Sequence, residues 1–232
     1  MSVLAIIQAR VGSTRLPRKV LEPLAGVPLV AHVIRRAKAT ELPMDVCLAI
    51  PDTQENDELA ALGESENVRV YRGSEDDVLS RFYWAAERYP NADVIVRITA
   101  DDPFKDPALI DACVGMFLQE WAKPATDIAP PQYLCLGGYS WPLGLDVEVF
   151  TRSMLVQAFQ QAATASEREH VTEWMRANTF VWQVKNPTGH GSANLRWTID
   201  DALDLAFARD VYAKLYDANP VFGYEAMRQA GY

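Results

Sequence analysis

The chain has no run of eighteen apolar residues, so no helix is expected to cross a membrane. It also lacks a basic region followed by a small-residue cleavage site, because the apolar run Val3 to Ile7 stops at Gln8 and Arg10. A cytoplasmic location is the expectation. Cysteine is sparse: Cys47, Cys113 and Cys135 are odd in number, scattered, and without zinc spacing. They are expected to be buried thiols, neither disulfide partners nor metal ligands. Positive charge is in deficit, with 22 Lys and Arg against 31 Asp and Glu, a net −9. That balance argues against a broad nucleic-acid surface. G-x-G-x-x-G, Walker and G-x-S-x-G patterns are all missing, which sets aside a dinucleotide fingerprint, a P-loop and a serine elbow. Internal repeats and low-complexity tracts are missing too.

What is present is concentrated at the start. Val3-Leu4-Ala5-Ile6-Ile7 reads as a strand buried on both faces. Directly after it, Arg10, Arg15, Arg18 and Lys19 put four cations within ten residues, beside Gly12, Ser13 and Thr14. A loop at the carboxyl end of a parallel strand is where open α/β sheets bind ligands. Backbone N–H groups at Gly12 and Ser13 suit phosphate oxygens, and Arg10, Arg15 and Lys19 would add charge-assisted hydrogen bonds. The plainer alternative is a surface turn with solvated arginines. So dense a basic cluster in an acidic chain favours phosphate.

At 232 residues, half of them apolar, the chain is read as one domain, 1–232. Leu29, Val30, Val33, Ile34 and Ala37 mark an amphipathic helix after Pro28. Strand patterns at 46–50, 68–71 and 94–99 alternate with helical patterns at 54–64, 78–86 and 109–121. This predicts an α/β fold, a mostly parallel central sheet with helices on both faces. Between 122 and 142, Pro130-Pro131, Gly137-Gly138 and Trp141-Pro142 predict a long irregular loop, usually functional or interfacial. Beyond it come a short strand at 145–149, helices at 151–163 and 166–177, and a strand near 180–184. A glycine-rich break from Asn186 to Ser192, a last strand Leu195 to Ile199 and a helix from Asp200 follow.

Two acidic groups fall at predicted strand ends. Asp101-Asp102-Pro103 suits either Mg²⁺, which takes few protein ligands, or the N-cap of the helix near Pro107. Asp200 is either an N-cap or the second carboxylate of such a cation site, with Arg196 on the same strand face able to meet an acid group of a second substrate. Asp146 and Glu148 share one strand face, where a solvent-facing edge is the default. Glu167 and His170 are i,i+3 neighbours, and a lone histidine near a helix start is more often structural than catalytic.

These residues resemble a known family. The run Ile6-Ile7-Gln8-Ala9-Arg10-Val11-Gly12-Ser13-Thr14-Arg15-Leu16-Pro17-Arg18-Lys19-Val20-Leu21 is similar to the signature of sugar-acid cytidylyltransferases, the CMP-sialic acid and CMP-KDO synthetases. Residues 71–81, 96–103, 144–150, 167–172 and 195–200 resemble their spore-coat polysaccharide biosynthesis relatives, in order along the chain. The resemblance implies a Rossmann-like, GT-A-like nucleotidyltransferase fold and transfer of CMP from CTP to a sugar acid, with Mg²⁺ and pyrophosphate release, for surface polysaccharide synthesis. It implies a homodimer, with 122–190 as an acceptor-binding or dimerisation excursion. Arg10, Gly12, Ser13, Arg15 and Lys19 would hold the triphosphate; Arg10, Arg15, Lys19 and Asp101 would form the catalytic set. Asp101 and Asp200 would hold Mg²⁺, and Arg72, Ser74 and Arg81 would lie near the cytidine. Asp146, Glu148, His170 and Arg196 would face the acceptor. Two positions depart from the pattern: Arg18, where many relatives have glycine, and Asp102, where cysteine is frequent. A nucleotide-sugar glycosyltransferase is the alternative, and its D-x-D motif is half matched by Asp101-Asp102.

Overall fold

β1 (Ser2–Gln8) is the spine of the molecule. Its side chains alternate between two separate cores: Val3, Ala5 and Ile7 face one, Leu4 and Ile6 the other. Burial on both faces is what a continuous apolar run predicts for a parallel strand. The computed structural model describes residues 1–124, 129–136, 140–187 and 194–232. Within them β4 (Asp45–Pro51), β5 (Arg69–Gly73) and β6 (Ala92–Thr99) join β1 in parallel, in the order β5-β4-β1-β6. The small hairpin β2 (Pro23–Leu24) and β3 (Val27–Pro28) stands apart from this sheet.

The sheet continues as β8 (Glu148–Thr151), β7 (Tyr133–Leu136) and β9 (Val181–Val184). β8 pairs antiparallel with both β6 and β7, and β7 pairs parallel with β9. Helices α1 (Leu29–Lys38), α2 (Asp57–Ser65), α4 (Pro107–Ala122), α8 (Ala202–Leu215) and α9 (Tyr224–Gln229) supply residues to the first core. Helices α3 (Val78–Glu87) and α5 (Arg152–Gln161) supply the second. None of the described helices is long and apolar enough to cross a membrane.

The second half departs from its expected elements. The irregular stretch at 122–142 contains β7, and 122–190 contributes three strands to the one sheet. Gly137-Gly138 and residues 188–192 of the glycine-rich break lie outside the described residues. The expected strand Leu195 to Ile199 is an extended segment with a single bridge, Leu143 to Arg196. It docks on a turn instead of a strand. Gly144 there has φ +108°, and a Cβ would stand 2.7 Å from Thr198 N. The helix expected at 166–177 is two short ones, α6 (Ala165–Glu169) and α7 (Glu173–Asn178), separated by Val171 at φ +58°.

Candidate active site

The loop after β1 leaves the sheet at its carboxyl edge and is pinned from behind. Val11 N donates to Asn56 Oδ1 at 3.0 Å, and Arg18 N donates to Val11 O at 3.1 Å. With Val11 buried as an anchor, the polar side of the loop faces a cavity of about 730 Å³. Arg10, Gly12, Ser13, Arg15 and Lys19 all line it, as do Asp101, Arg81, His170 and Asp200. One loop cation faces away. Arg18 pairs with Glu58 and sits at φ +59°, the left-handed region that favours glycine.

Lys19 is the meeting point. Its Nζ donates to Ile199 O at 2.6 Å, Asp200 Oδ1 at 3.0 Å and Asp101 Oδ2 at 3.1 Å. Two carboxylates a hundred residues apart in sequence therefore converge on one ammonium. The backbone arranges this, since Ile199 N donates to Asp101 O at 2.9 Å. Neither acid is an N-cap. Asp106 caps α4 and Asp201 caps α8, leaving Asp101 and Asp200 for the cleft. Burial, and then neighbouring Asp102, push the Asp101 carboxyl up. Burial acts on Asp200 in the same direction, but hydrogen bonds from Arg196 and Lys19 outweigh it and hold that carboxyl low.

The other cations are loosely held. Arg15, two-thirds exposed, lies 3.2 Å from Asp200, and Arg10 lies 3.9 Å from Glu169. Exposed pairs of this kind contribute about 0–1 kcal/mol, so either guanidinium can turn to an anion at little cost. Arg81 is buried, which with nearby Arg10 pushes its guanidinium down to about 10. It donates to Ser74 O at 2.7 Å, while its buried Nε has no hydrogen-bond partner among the described residues.

Several expected site residues stand elsewhere. Arg72 is tied to Asp52, Thr53 O and Asp57, and Ser74 Oγ accepts from Asp77 N. Neither lines the cavity. Asp146 accepts from Gly144 N within its own turn. Arg196 is committed to Asp200 and Asp204 and does not line the cavity, so it braces Asp200 from behind. Glu148 is not on a solvent-facing edge: β8 lies between β6 and β7, and its carboxylate is buried against Arg97, Tyr133 and Thr172. Asp102 is also buried, paired with Lys105 at 2.9 Å, so Asp101-Asp102 does not act as a D-x-D pair.

Sequence reasoning passed over Gln8, Arg97 and Glu169, which line the cavity. Arg97 had a signal: it is the one charge within Val94 to Thr99, an otherwise apolar strand.

A family model described as cytidylyltransferase matches residues 4–192. The spore coat polysaccharide biosynthesis protein SpsF of Bacillus subtilis is 33% identical over 220 residues, 91% of this chain and 87% of that one. A 3-deoxy-manno-octulosonate cytidylyltransferase of Methylibium petroleiphilum is 37% identical over 123 residues, 51% of this chain and 45% of its own length. Among solved structures, a cytidylyltransferase from Leptospira borgpetersenii superimposes with a TM-score of 0.81 at 27% identity, covering 95% of each chain.

Proposed function

The chain belongs to the cytidylyltransferase family and is a nucleotidyltransferase, and from that premise we propose that it transfers CMP from CTP to a sugar acid for surface polysaccharide biosynthesis. The observation that carries the reading is the convergence of Lys19, Asp101 and Asp200 beneath a loop of loosely paired arginines. The acidic acceptor is supported by the relative named as a 3-deoxy-manno-octulosonate cytidylyltransferase, and the polysaccharide role by SpsF.

In this reading Arg10 and Arg15 exchange their weak carboxylate pairs for oxygens of the triphosphate, and Gly12 and Ser13 present backbone N–H groups to it. A hydroxyl of the acceptor attacks the α-phosphorus in line, the bond to the bridging oxygen breaks, and pyrophosphate leaves. Negative charge grows on the bridging and equatorial oxygens, where Arg15 and Lys19 neutralise it; prepositioned cations need no reorganisation at that moment. Arg81 stands on the wall expected to meet the nucleoside.

Asp101 and Asp200 fit as holders of Mg²⁺. Their oxygens lie 3.1 and 3.0 Å from one Nζ, so both reach a single cationic point. No group of three His, Cys, Asp or Glu gathers among the described residues. Two carboxylates with phosphate and water completing the shell is a habit of Mg²⁺. That ion would supply further charge neutralisation at the phosphoryl oxygens.

The deciding measurement is pyrophosphate release with four nucleoside triphosphates crossed against a panel of sugar acids, Mg²⁺ present. Release is expected with CTP and at least one sugar acid of the panel. Silence across the whole panel would sink the sugar-acid assignment.

A further inference from the structure

Beside the main cavity lies a second one of about 380 Å³, walled by Arg97, His170, Thr172, Glu173 and Arg176. Arg97 and His170 line both, so the two spaces adjoin across these side chains.

Most of the polar groups around the second cavity are already committed. Arg97 Nε donates to Gln8 Oε1 at 2.9 Å, and its Nη1 pairs with Glu148. The other Glu148 oxygen takes the Tyr133 hydroxyl, and Thr172 Oγ1 at 2.7 Å. Burial works against ionisation of Glu148, but Arg97 and these hydrogen bonds keep its carboxyl below the ordinary range. This buried network makes a rigid floor of balanced charge. Glu173 accepts from Ser166 Oγ at 2.6 Å.

Arg176 is different. It is exposed, and its guanidinium has no ion pair or hydrogen bond among the described residues. Its place depends on the break between α6 and α7. Val171 is fully buried yet sits at φ +58°, a left-handed conformation that a β-branched residue rarely adopts. That turn lets His170 face the main cavity while Thr172 reaches back to Glu148, and α7 then restarts with Arg176 over the second cavity. Local strain held by tertiary contacts is a mark of functional positions.

We propose that the second cavity is the acceptor subsite and that Arg176 binds the acceptor's carboxylate; this rests on the sugar-acid reading above. The guanidinium fork matches a carboxylate in two parallel hydrogen bonds, which a neutral sugar cannot supply. His170 lines both cavities, so an acid anchored there adjoins the space that the triphosphate would fill. Arg176 is thus a specificity-determining group, and it acts on the acceptor without touching the nucleotide.

The test compares wild type, Arg176→Gln and Arg176→Lys, using CTP with the best sugar acid of the panel and with its neutral counterpart, the acid reduced to the alcohol. For Arg176→Gln we expect kcat/KM for the acid to fall about 30-fold, mostly through KM, which is roughly 2 kcal/mol. KM for CTP, turnover of the alcohol and Tm should not move, and Arg176→Lys should recover part of the loss. Wild type that uses the acid while Arg176→Gln matches it would overturn the subsite and leave the sugar-acid reading standing. Wild type that prefers the alcohol, or that neither turns over nor calorimetrically binds any acid, would overturn the reading and the subsite together.

Discussion

Asp101 and Asp102 are neighbours in sequence but belong to two differently built regions. On the cleft side, Lys19 binds Asp101 and Asp200, Arg15 pairs with Asp200 and Arg10 with Glu169, all along the wall of the open cavity. Behind it, between the sheet and helices α4, α8 and α9, charges of the same kinds are sealed. Lys105 is 1% exposed and bonds Asp102 and Asp146 O. Asp106 caps α4 and accepts Tyr224 N at 2.7 Å. Arg36, fully buried on α1, donates to Phe222 O at 2.7 Å and lies 4.6 Å from the centre of the Phe222 ring. Charge in the sealed region has one partner set and no exit, so removing a member leaves a buried polar group unpaired. Charge in the cleft can change partners. The contrast separates residues that hold the fold from residues available for chemistry.

Three substitutions probe that separation, in descending order of effect. Lys19→Met strikes the cleft: turnover should fall by about 10²–10³-fold, the usual cost of deleting one prepositioned donor. Its circular dichroism spectrum should match wild type; a misfolded variant would move Lys19 into the sealed class. Gly223→Ala strikes the seal. A Cβ there would stand 2.3 Å from Asp106 Oδ2, and Asp106 cannot retreat without giving up Ala108 N or Tyr224 N. A loss of about 2–4 kcal/mol is expected from urea titration, with kcat at low temperature little changed. Arg18→Gly should be smallest and opposite in sign. Relief of the left-handed backbone exceeds loss of the exposed Glu58 pair, giving a gain of up to about 1 kcal/mol. Unchanged kcat would agree with Arg18 facing away from the cleft; a fall would return it there.

How much of this was legible in the sequence depends on how local the signal is. β1, α1 and the basic loop after β1 were readable because apolar period and charge density lie within a few residues. Four-residue β7 was hidden because it sits between Pro130-Pro131 and Gly137-Gly138, which read as loop punctuation. Leu195 to Ile199 has the alternation of a strand, but its neighbours are a turn and the Asp101 loop, and no pattern within five residues says so. Asp101 and Asp200 were singled out separately as strand-end acids; that both bond one lysine is a fact of packing. Glu148 and Arg196 were misjudged for the same reason. A carboxylate on a strand looks solvent-facing until the strand proves to lie inside the sheet. Arg196 is already held by Asp200 and Asp204, one of them a helical residue the strand pattern does not reach.

The bonds of Lys19 have a consequence for how the molecule is made. They join residues 82, 180 and 181 positions apart, the last two among the longest loops closed by side-chain bonds among the described residues. Closing loops of that size needs nearly the whole topology in place, because entropy opposes them until other contacts hold the ends together. A chain interrupted on the ribosome before position 200 could bury β1 and still have no second carboxylate for Lys19. The assembled site therefore waits until residue 200 has been made and docked, and binding of a nucleotide would report that long-range closure.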